Sequence, residues 1–97
     1  MLDQKTINEI KSIIFQFLNR KTDKVFLFGS RAIGNGRKFS DIDIGIKSSR
    51  PISSKTMFEI EEAFEESQIP YTVDVVDFSK VAERFKSVTN QKIVYLN

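Results

Sequence analysis

One strictly alternating segment near the middle of the chain constrains the fold more than any other feature. Residues 40–46 read Ser-Asp-Ile-Asp-Ile-Gly-Ile. Because successive side chains of a β-strand point to opposite faces, this pattern predicts a strand that buries its isoleucines and presents Asp41 and Asp43 together on the other face. Aspartate is disfavoured in strands, and residues two apart on one face stand about 6.8 Å from each other. The segment therefore predicts a sheet with one apolar face and one face that bears carboxylates.

Apolar spacing predicts the elements on either side of this strand. Three segments with helical spacing predict helices at 6–19, from Ser53 or Ser54 to Ser67, and from near Ser79 onward. Thr6 and Glu9 resemble a capping box at the start of the first helix. Short β-prone runs predict strands at 25–28 and 71–76, the first of them central and covered on both faces. Residues 93–96 fit either a short strand or a helix end.

Helices and strands in this order predict an α+β protein, a two-layer α/β arrangement with helices packed on one small sheet. The 97 residues, 40% of them apolar and nine of them Phe, suffice for one core, so we expect a single domain over 1–97. No apolar stretch approaches the roughly 20 residues that cross a bilayer, and the first residues lack the apolar core of a signal peptide. The expectation is a cytoplasmic protein without a membrane partner.

The amino-acid composition limits the catalytic groups that this chain can offer. The chain contains neither Cys nor His, which removes thiolate chemistry and the commonest general base and zinc ligand. Catalysis would have to use carboxylates and bound cations. The 15 Lys+Arg against 13 Asp+Glu give a net charge of only +2, which does not predict a nucleic-acid partner and leaves that question open.

The acidic face of the alternating strand is a candidate metal site. At 6.8 Å and an effective dielectric constant near 20, repulsion between Asp41 and Asp43 costs roughly 2 kcal/mol, and a third carboxylate, Asp74 in the strand at 71–76, would add to it. Mg²⁺ offsets such repulsion and is typically held by one or two carboxylates with phosphates and water. Three acids can hold two ions that orient a triphosphate for in-line attack. The alternative is a solvated strand face whose acids only prevent edge aggregation.

Gly29 and Ser30 follow the strand at 25–28. Glycine admits close backbone approach, and Ser30 offers a hydroxyl at the start of a turn or helix whose free N–H groups suit a phosphate. Arg31 is placed to meet phosphate charge. Alone, these residues equally fit an ordinary strand-ending turn with a solvated arginine. Residues 34–38, Gly-Asn-Gly-Arg-Lys, have turn chemistry and lead the chain into the alternating strand.

Taken together, residues 28–34, Phe-Gly-Ser-Arg-Ala-Ile-Gly, and 40–44, Ser-Asp-Ile-Asp-Ile, resemble the signature of the polymerase-beta-type nucleotidyltransferases. They are most similar to the minimal, stand-alone branch (MNT) of bacteria and archaea. The resemblance covers essentially the whole chain and implies the polymerase-beta-type fold with a small mixed sheet. It also implies that Gly29, Ser30 and Arg31 bind the nucleotide. Many members have a second basic residue where this chain has Ile33.

The same resemblance implies that Asp41, Asp43 and Asp74 bind Mg²⁺, with two ions expected. Asp74, in the position of the family's third acid, would also help to accept the proton of the attacking hydroxyl. Asp77, three residues further on, has the alternative role of a helix cap.

The resemblance further implies Mg²⁺-dependent transfer of a nucleoside monophosphate, expected to be AMP from ATP, to an acceptor hydroxyl with release of pyrophosphate. Domains of this branch often pair with helical HEPN-type proteins in toxin–antitoxin modules, and some of these antitoxins adenylylate a tyrosine of the toxin. A protein hydroxyl is therefore favoured over an aminoglycoside, whose transferases usually have an additional domain.

Two other functions fit parts of the pattern. The first is a non-catalytic antitoxin of nucleotidyltransferase fold that neutralises its partner by complex formation. The second takes residues 41–43 as the Asp-x-Asp of a glycosyltransferase, although those enzymes generally need a much larger nucleotide-binding domain. Neither the acceptor nor the preferred base is specified by the sequence.

Overall fold

A computed structural model describes residues 2–29, 42–79 and 92–97 of the chain. Its elements are α1 Gln4–Ile14, β1 Lys24–Phe28, β2 Ile42–Lys47, α2 Ser54–Glu65, β3 Val73–Asp77 and β4 Val94–Tyr95. They confirm the predicted order of helices and strands, and the open segment at 93–96 contains a strand. The predicted turn at 34–38 and nearly all of the helix predicted from Ser79 onward lie outside the described residues.

Four strands form one mixed sheet in the order β3-β2-β1-β4. β1 runs antiparallel to both β2 and β4, whereas β2 and β3 are parallel. β1 is therefore an interior strand, as its uninterrupted apolar run predicted. Within the described part of the sheet, β3 pairs with β2 alone and lies at an edge.

The start of α1 differs from the prediction. The helix begins at Gln4 because the side chain of Asp3 accepts a hydrogen bond of 3.2 Å from the Thr6 backbone N–H. Hydrogen bonds from the Thr6 side chain and backbone also hold the pKa of Asp3 below its usual value. Thr6 lies inside the first turn with its side chain buried, so the capping box predicted at Thr6 is wrong.

The ends of the helices depend on local hydrogen bonds. α1 stops at Ile14 instead of near Asn19, since the N–H groups of Gln16 and Phe17 bond to carbonyls three residues back and tighten the chain into turns. α2 begins after Ser53, whose hydroxyl accepts from the Thr56 backbone N–H at 3.1 Å, in agreement with the prediction. Among the described residues, neither helix has the length and apolar character needed to cross a bilayer.

The core lies between the two helices and one face of the sheet. The isoleucines of β2 are fully buried there, as the alternation predicted, and Val25 and Leu27 from β1 are buried beside them. The helices contribute buried side chains to the same cluster, namely Ile10, Ile14, Ile60 and Phe64. This packing determines which face of the sheet remains for the carboxylates.

An aromatic cluster occupies the opposite face. The rings of Phe26, Phe28, Phe78 and Tyr95 form contacts with centroid distances of 5.4–6.1 Å. Phe26 is fully buried and pairs across the strands with Gly45, over which its ring lies. The sheet is thus covered on both faces at β1, again as predicted.

Substitution of Gly45 tests this packing. A Cβ atom at residue 45 would overlap the ring of Phe26, which neighbouring rings hold in place. We expect Gly45→Ala to lower the free energy of unfolding, measured by urea denaturation, by about 1–3 kcal/mol through overpacking. In a Phe26→Leu background the same change should cost less. An equal cost in both backgrounds would contradict the proposed contact.

Candidate active site

Three strands bring the described site residues together at one end of the sheet. Because β1 runs antiparallel to β2 and β3, its last residues lie at the same end of the sheet as the first residues of both. Phe28 pairs with Asp43, and Asp43 pairs with Asp74 on the other side. Gly29 follows directly after β1. Asp43 therefore lies between Gly29 on one side and Asp74 on the other. The other predicted site residues, Ser30, Arg31 and Asp41, lie outside the described part of the chain.

Asp43 and Asp74 form an in-register pair on one face of the sheet. Neighbouring strands are about 4.8 Å apart, and paired residues of parallel strands point to the same side. Asp43 is half-buried and Asp74 is exposed. At about 5 Å and an effective dielectric constant near 20, their repulsion amounts to roughly 3 kcal/mol before solvent screening of the exposed partner. A cation bound between them would relieve this repulsion.

The absence of a side chain at Gly29 leaves room for the Asp43 carboxylate. Its φ is 71°, in the left-handed region that favours glycine, and a Cβ atom there would overlap Oδ2 of Asp43. Oδ2 therefore lies directly against the backbone that leads into the predicted phosphate-binding turn. The proximity of the Gly-Ser turn and the Asp-x-Asp strand, which the spacing alone only suggested, is present in the structure for Gly29 and Asp43.

Asp77 has a different role from Asp74. It pairs with Ile46 and so lies on the core side of the sheet. Its carboxylate accepts hydrogen bonds from the backbone N–H groups of Ile52 at 2.8 Å and Ser79 at 2.9 Å. The second bond is local, two residues along the chain, and the helix that Asp77 was predicted to cap lies outside the described residues. The bond to Ile52, 25 residues away, had no signal in the sequence.

The described residues fit a magnesium ion only in part. No group of three acidic, His or Cys side chains close enough to hold a metal occurs within 2–29, 42–79 and 92–97. Two carboxylates are present, Asp43 and Asp74, and Asp41 lies beyond the described residues. Hard oxygen ligands from one or two carboxylates, completed by water and phosphate oxygens, are what Mg²⁺ requires. The in-register pair supplies the two carboxylates of such a site, and the missing Cβ of Gly29 leaves room for the one of Asp43.

A direct comparison with known sequences establishes the protein family of this chain. Residues 8–97 match the family described as Polymerase beta, Nucleotidyltransferase. The chain belongs to this family, and the resemblance drawn from its two short motifs is confirmed. It is also 33% identical over 87 residues to the Probable protein adenylyltransferase MntA of Haemophilus influenzae, covering 90% of this chain and 75% of that protein.

Solved structures agree with the fold. A chain from a crystal structure of a toxin–antitoxin with AMP-PNP superposes with a TM-score of 0.76 at 22% identity, covering 94% of this chain and 72% of that one. A chain from the complex of tri-AMPylated Shewanella oneidensis HEPN toxin with MNT antitoxin gives a TM-score of 0.72 at 22% identity, with coverage of 99% and 72%. At these identities the likeness shows the fold, and it confirms the predicted polymerase-beta-type architecture.

The contact between Gly29 and Asp43 can be tested by a double-mutant cycle. Gly29→Ala should lower the free energy of unfolding by about 1–2 kcal/mol from the left-handed backbone alone, and by more because the new methyl displaces the carboxylate. Asp43→Ala removes the second contribution, so Gly29→Ala should cost less in that background. Urea denaturation of the four proteins measures the difference. Identical costs would show that Oδ2 does not lie against Gly29.

Proposed function

We propose that this protein is a Mg²⁺-dependent nucleotidyltransferase that transfers AMP from ATP to a hydroxyl of a partner protein and releases pyrophosphate. The observation that supports it most is the in-register pair of Asp43 and Asp74, in which the Asp43 carboxylate lies against Gly29. Membership of the nucleotidyltransferase family and the similarity to MntA, designated a protein adenylyltransferase, support the type of reaction.

Each site residue has a proposed task. Asp43 and Asp74, together with Asp41, hold Mg²⁺, with two ions expected, while Gly29, Ser30 and Arg31 hold the triphosphate. The metal supplies positive charge that stabilises the attacking and leaving oxygens. The acceptor oxygen forms a bond to the α-phosphorus as the bond to pyrophosphate breaks. Asp74 is the exposed member of the pair, so it is the one accessible to the acceptor and suited to accept the hydroxyl proton.

The proposed partner is a HEPN-type helical protein. This proposal draws on the solved complex in which an MNT antitoxin accompanies an AMPylated HEPN toxin, and on the crystal structure of a toxin–antitoxin with AMP-PNP. The cytoplasm, which supplies both ATP and Mg²⁺, is the proposed compartment.

Transfer should depend on the carboxylate pair. With a lysate of the host, MgCl₂ and ATP labelled at the α-phosphate, the wild-type protein should label an acceptor that γ-labelled ATP leaves unlabelled. Asp43→Asn and Asp74→Asn should each lower the transfer rate at least about 10³-fold, equivalent to near 4 kcal/mol in the barrier, because a metal-binding charge is lost. Glu66→Gln, an exposed acid at the end of α2, is the matched control and should remain active.

Three outcomes would contradict this proposal. Unchanged transfer by Asp43→Asn would remove the metal assignment. Label from the γ-position alone, absent from a lysate-only control, would indicate kinase chemistry. No label with the wild-type protein, combined with no Mg²⁺-dependent ATP binding in a direct titration, would favour the non-catalytic antitoxin that acts by complex formation.

The metal can be tested separately from activity. In EDTA at low ionic strength, Asp74→Asn should raise the free energy of unfolding by up to about 1 kcal/mol, because it removes a screened repulsion with Asp43. Adding MgCl₂ should stabilise the wild-type protein more than the variant, since binding to the folded state adds stability. Thermal unfolding with and without MgCl₂ measures both effects. Equal responses to Mg²⁺ in the two proteins would contradict metal binding by Asp74.

A further inference from the structure

A groove beside the edge strand adjoins the candidate active site. It has a volume of about 690 Å³ and lies between the second half of α2 and the beginning of β3. Phe64, Ile69 and Val73 are among its apolar lining residues, and its ionisable acids are Glu61, Glu65 and Asp74. Asp74 is therefore shared between this groove and the carboxylate pair.

A second, smaller depression continues the same surface along α2. It is lined by Phe58, Glu61, Glu62 and Glu65, so it shares Glu61 and Glu65 with the groove. Phe58 is 63% exposed, which makes it one of two large exposed apolar side chains among the described residues. We call this combined surface, from Phe58 to Asp74, the α2 groove. It joins one exposed aromatic ring to one candidate catalytic carboxylate.

The α2 groove is acidic although the chain as a whole has a net charge of +2. Its described lining residues include acids but no Lys or Arg. Several of these acids lie in the second half of α2, close to the negative end of the helix dipole, and the last turn has no basic residue. This placement opposes the stability of the helix. A solvated helix face gains nothing from this arrangement, whereas a bound cation would offset its cost.

Two features indicate that the cation belongs to a polypeptide. The first is the apolar lining of the groove, in which Phe64 is 5% and Ile69 9% exposed, with Phe58 as a further apolar contact. The second is the edge strand, because β3 pairs only with β2 in the described sheet. The outer edge of such a strand presents backbone groups to which an extended segment can bind.

We propose that the α2 groove binds an extended, cationic segment of the acceptor protein, with an apolar side chain near Phe58 and the acceptor hydroxyl directed to Asp74. The position of the hydroxyl rests on the proposed nucleotidyl transfer. The binding of a cationic segment does not, because it follows from the charge and shape of the groove alone. The two can therefore fail separately.

Synthetic peptides test the binding directly. Three fluorescent peptides each contain one Tyr and one Leu and differ in the residues that flank them. The flanking residues are Lys and Arg in the basic peptide, Gln in the neutral peptide and Glu in the acidic peptide. Their affinities are measured by fluorescence anisotropy with the full chain, with Glu61→Lys/Glu65→Lys, and with Glu59→Lys/Glu66→Lys. The last variant is the matched control, since it makes the same change in net charge on α2 at acids that do not line the groove.

The basic peptide should bind the wild-type protein at least about 10-fold more tightly than the neutral one, and Glu61→Lys/Glu65→Lys should remove that preference. The control variant should change the affinity by less than about 3-fold. Phe58→Ala should weaken binding without affecting the fold, because this side chain is 63% exposed. The charge-reversed groove should in turn prefer the acidic peptide.

Several results would overturn the proposal. Equal losses of peptide affinity in the two double variants would show that the preference depends on the overall charge of α2 and not on the groove. Binding that is insensitive to Phe58→Ala and is matched by spermine would assign the groove to a small cation. Transfer to the host acceptor that Glu61→Lys/Glu65→Lys leaves intact would exclude the groove while leaving the nucleotidyl transfer in place. Conversely, absence of transfer by the wild-type protein with the expected peptide affinities would refute the transfer and retain the groove.

Discussion

The alternation of side chains along β2 is the constraint on which the site depends. Ile42, Ile44 and Ile46 are fully buried, and burying each contributes roughly 1.5–3 kcal/mol. Together these contributions exceed the repulsion that the same register creates between Asp43 and Asp74, which is roughly 3 kcal/mol before solvent screening and less after it. A slip of one residue would turn the isoleucines to the opposite face and the aspartates into the core. Hydrophobic burial thus holds two like charges side by side.

Long-range polar contacts secure the opposite end of the sheet. The Asn97 side chain accepts from the Val25 N–H and donates to the carbonyls of Arg20 and Asp23. The Ser48 hydroxyl donates to the Asp23 carboxylate, and its N–H donates to the Ser79 hydroxyl. These bonds join the loop before β1 to the segments that follow β2 and β3. The carboxylates of Asp43 and Asp74 therefore lie at one end of strands whose other ends are joined by hydrogen bonds.

The sequence predicted most of what depends on local periodicity. The buried face of β2 and the interior position of β1 both follow from the pattern of apolar residues, and both are confirmed. The start of α1 was predicted wrongly because Asp3 and Thr6 are both acceptable caps, and only the burial of Thr6 decides between them. Local pattern contains no such tertiary information.

Features that depend on which strands become neighbours were harder to predict from the sequence. A third acid in the strand at 71–76 was visible in the sequence, but its register with Asp43 required β3 to lie parallel beside β2. Likewise, the glutamates of α2 resemble an ordinary solvated helix face until the helix is placed beside an edge strand. The contact of Asp77 with Ile52 and the aromatic face opposite the core arise in the same way, from pairings that no single segment specifies.

The strand order also gives a physical reason for the proposed division of the site. Gly29 lies at the end of β1, Asp43 lies on β2, and the α2 groove lies beside β3. With strands about 4.8 Å apart, the carboxylates stand between the proposed triphosphate side and the proposed acceptor side, which are separated by roughly 10 Å. Phosphoryl transfer places the attacking and leaving oxygens roughly in line on opposite sides of the phosphorus. An acidic groove repels an anionic nucleotide and attracts a cationic segment, so charge alone would direct the two proposed substrates to opposite sides of the carboxylate pair.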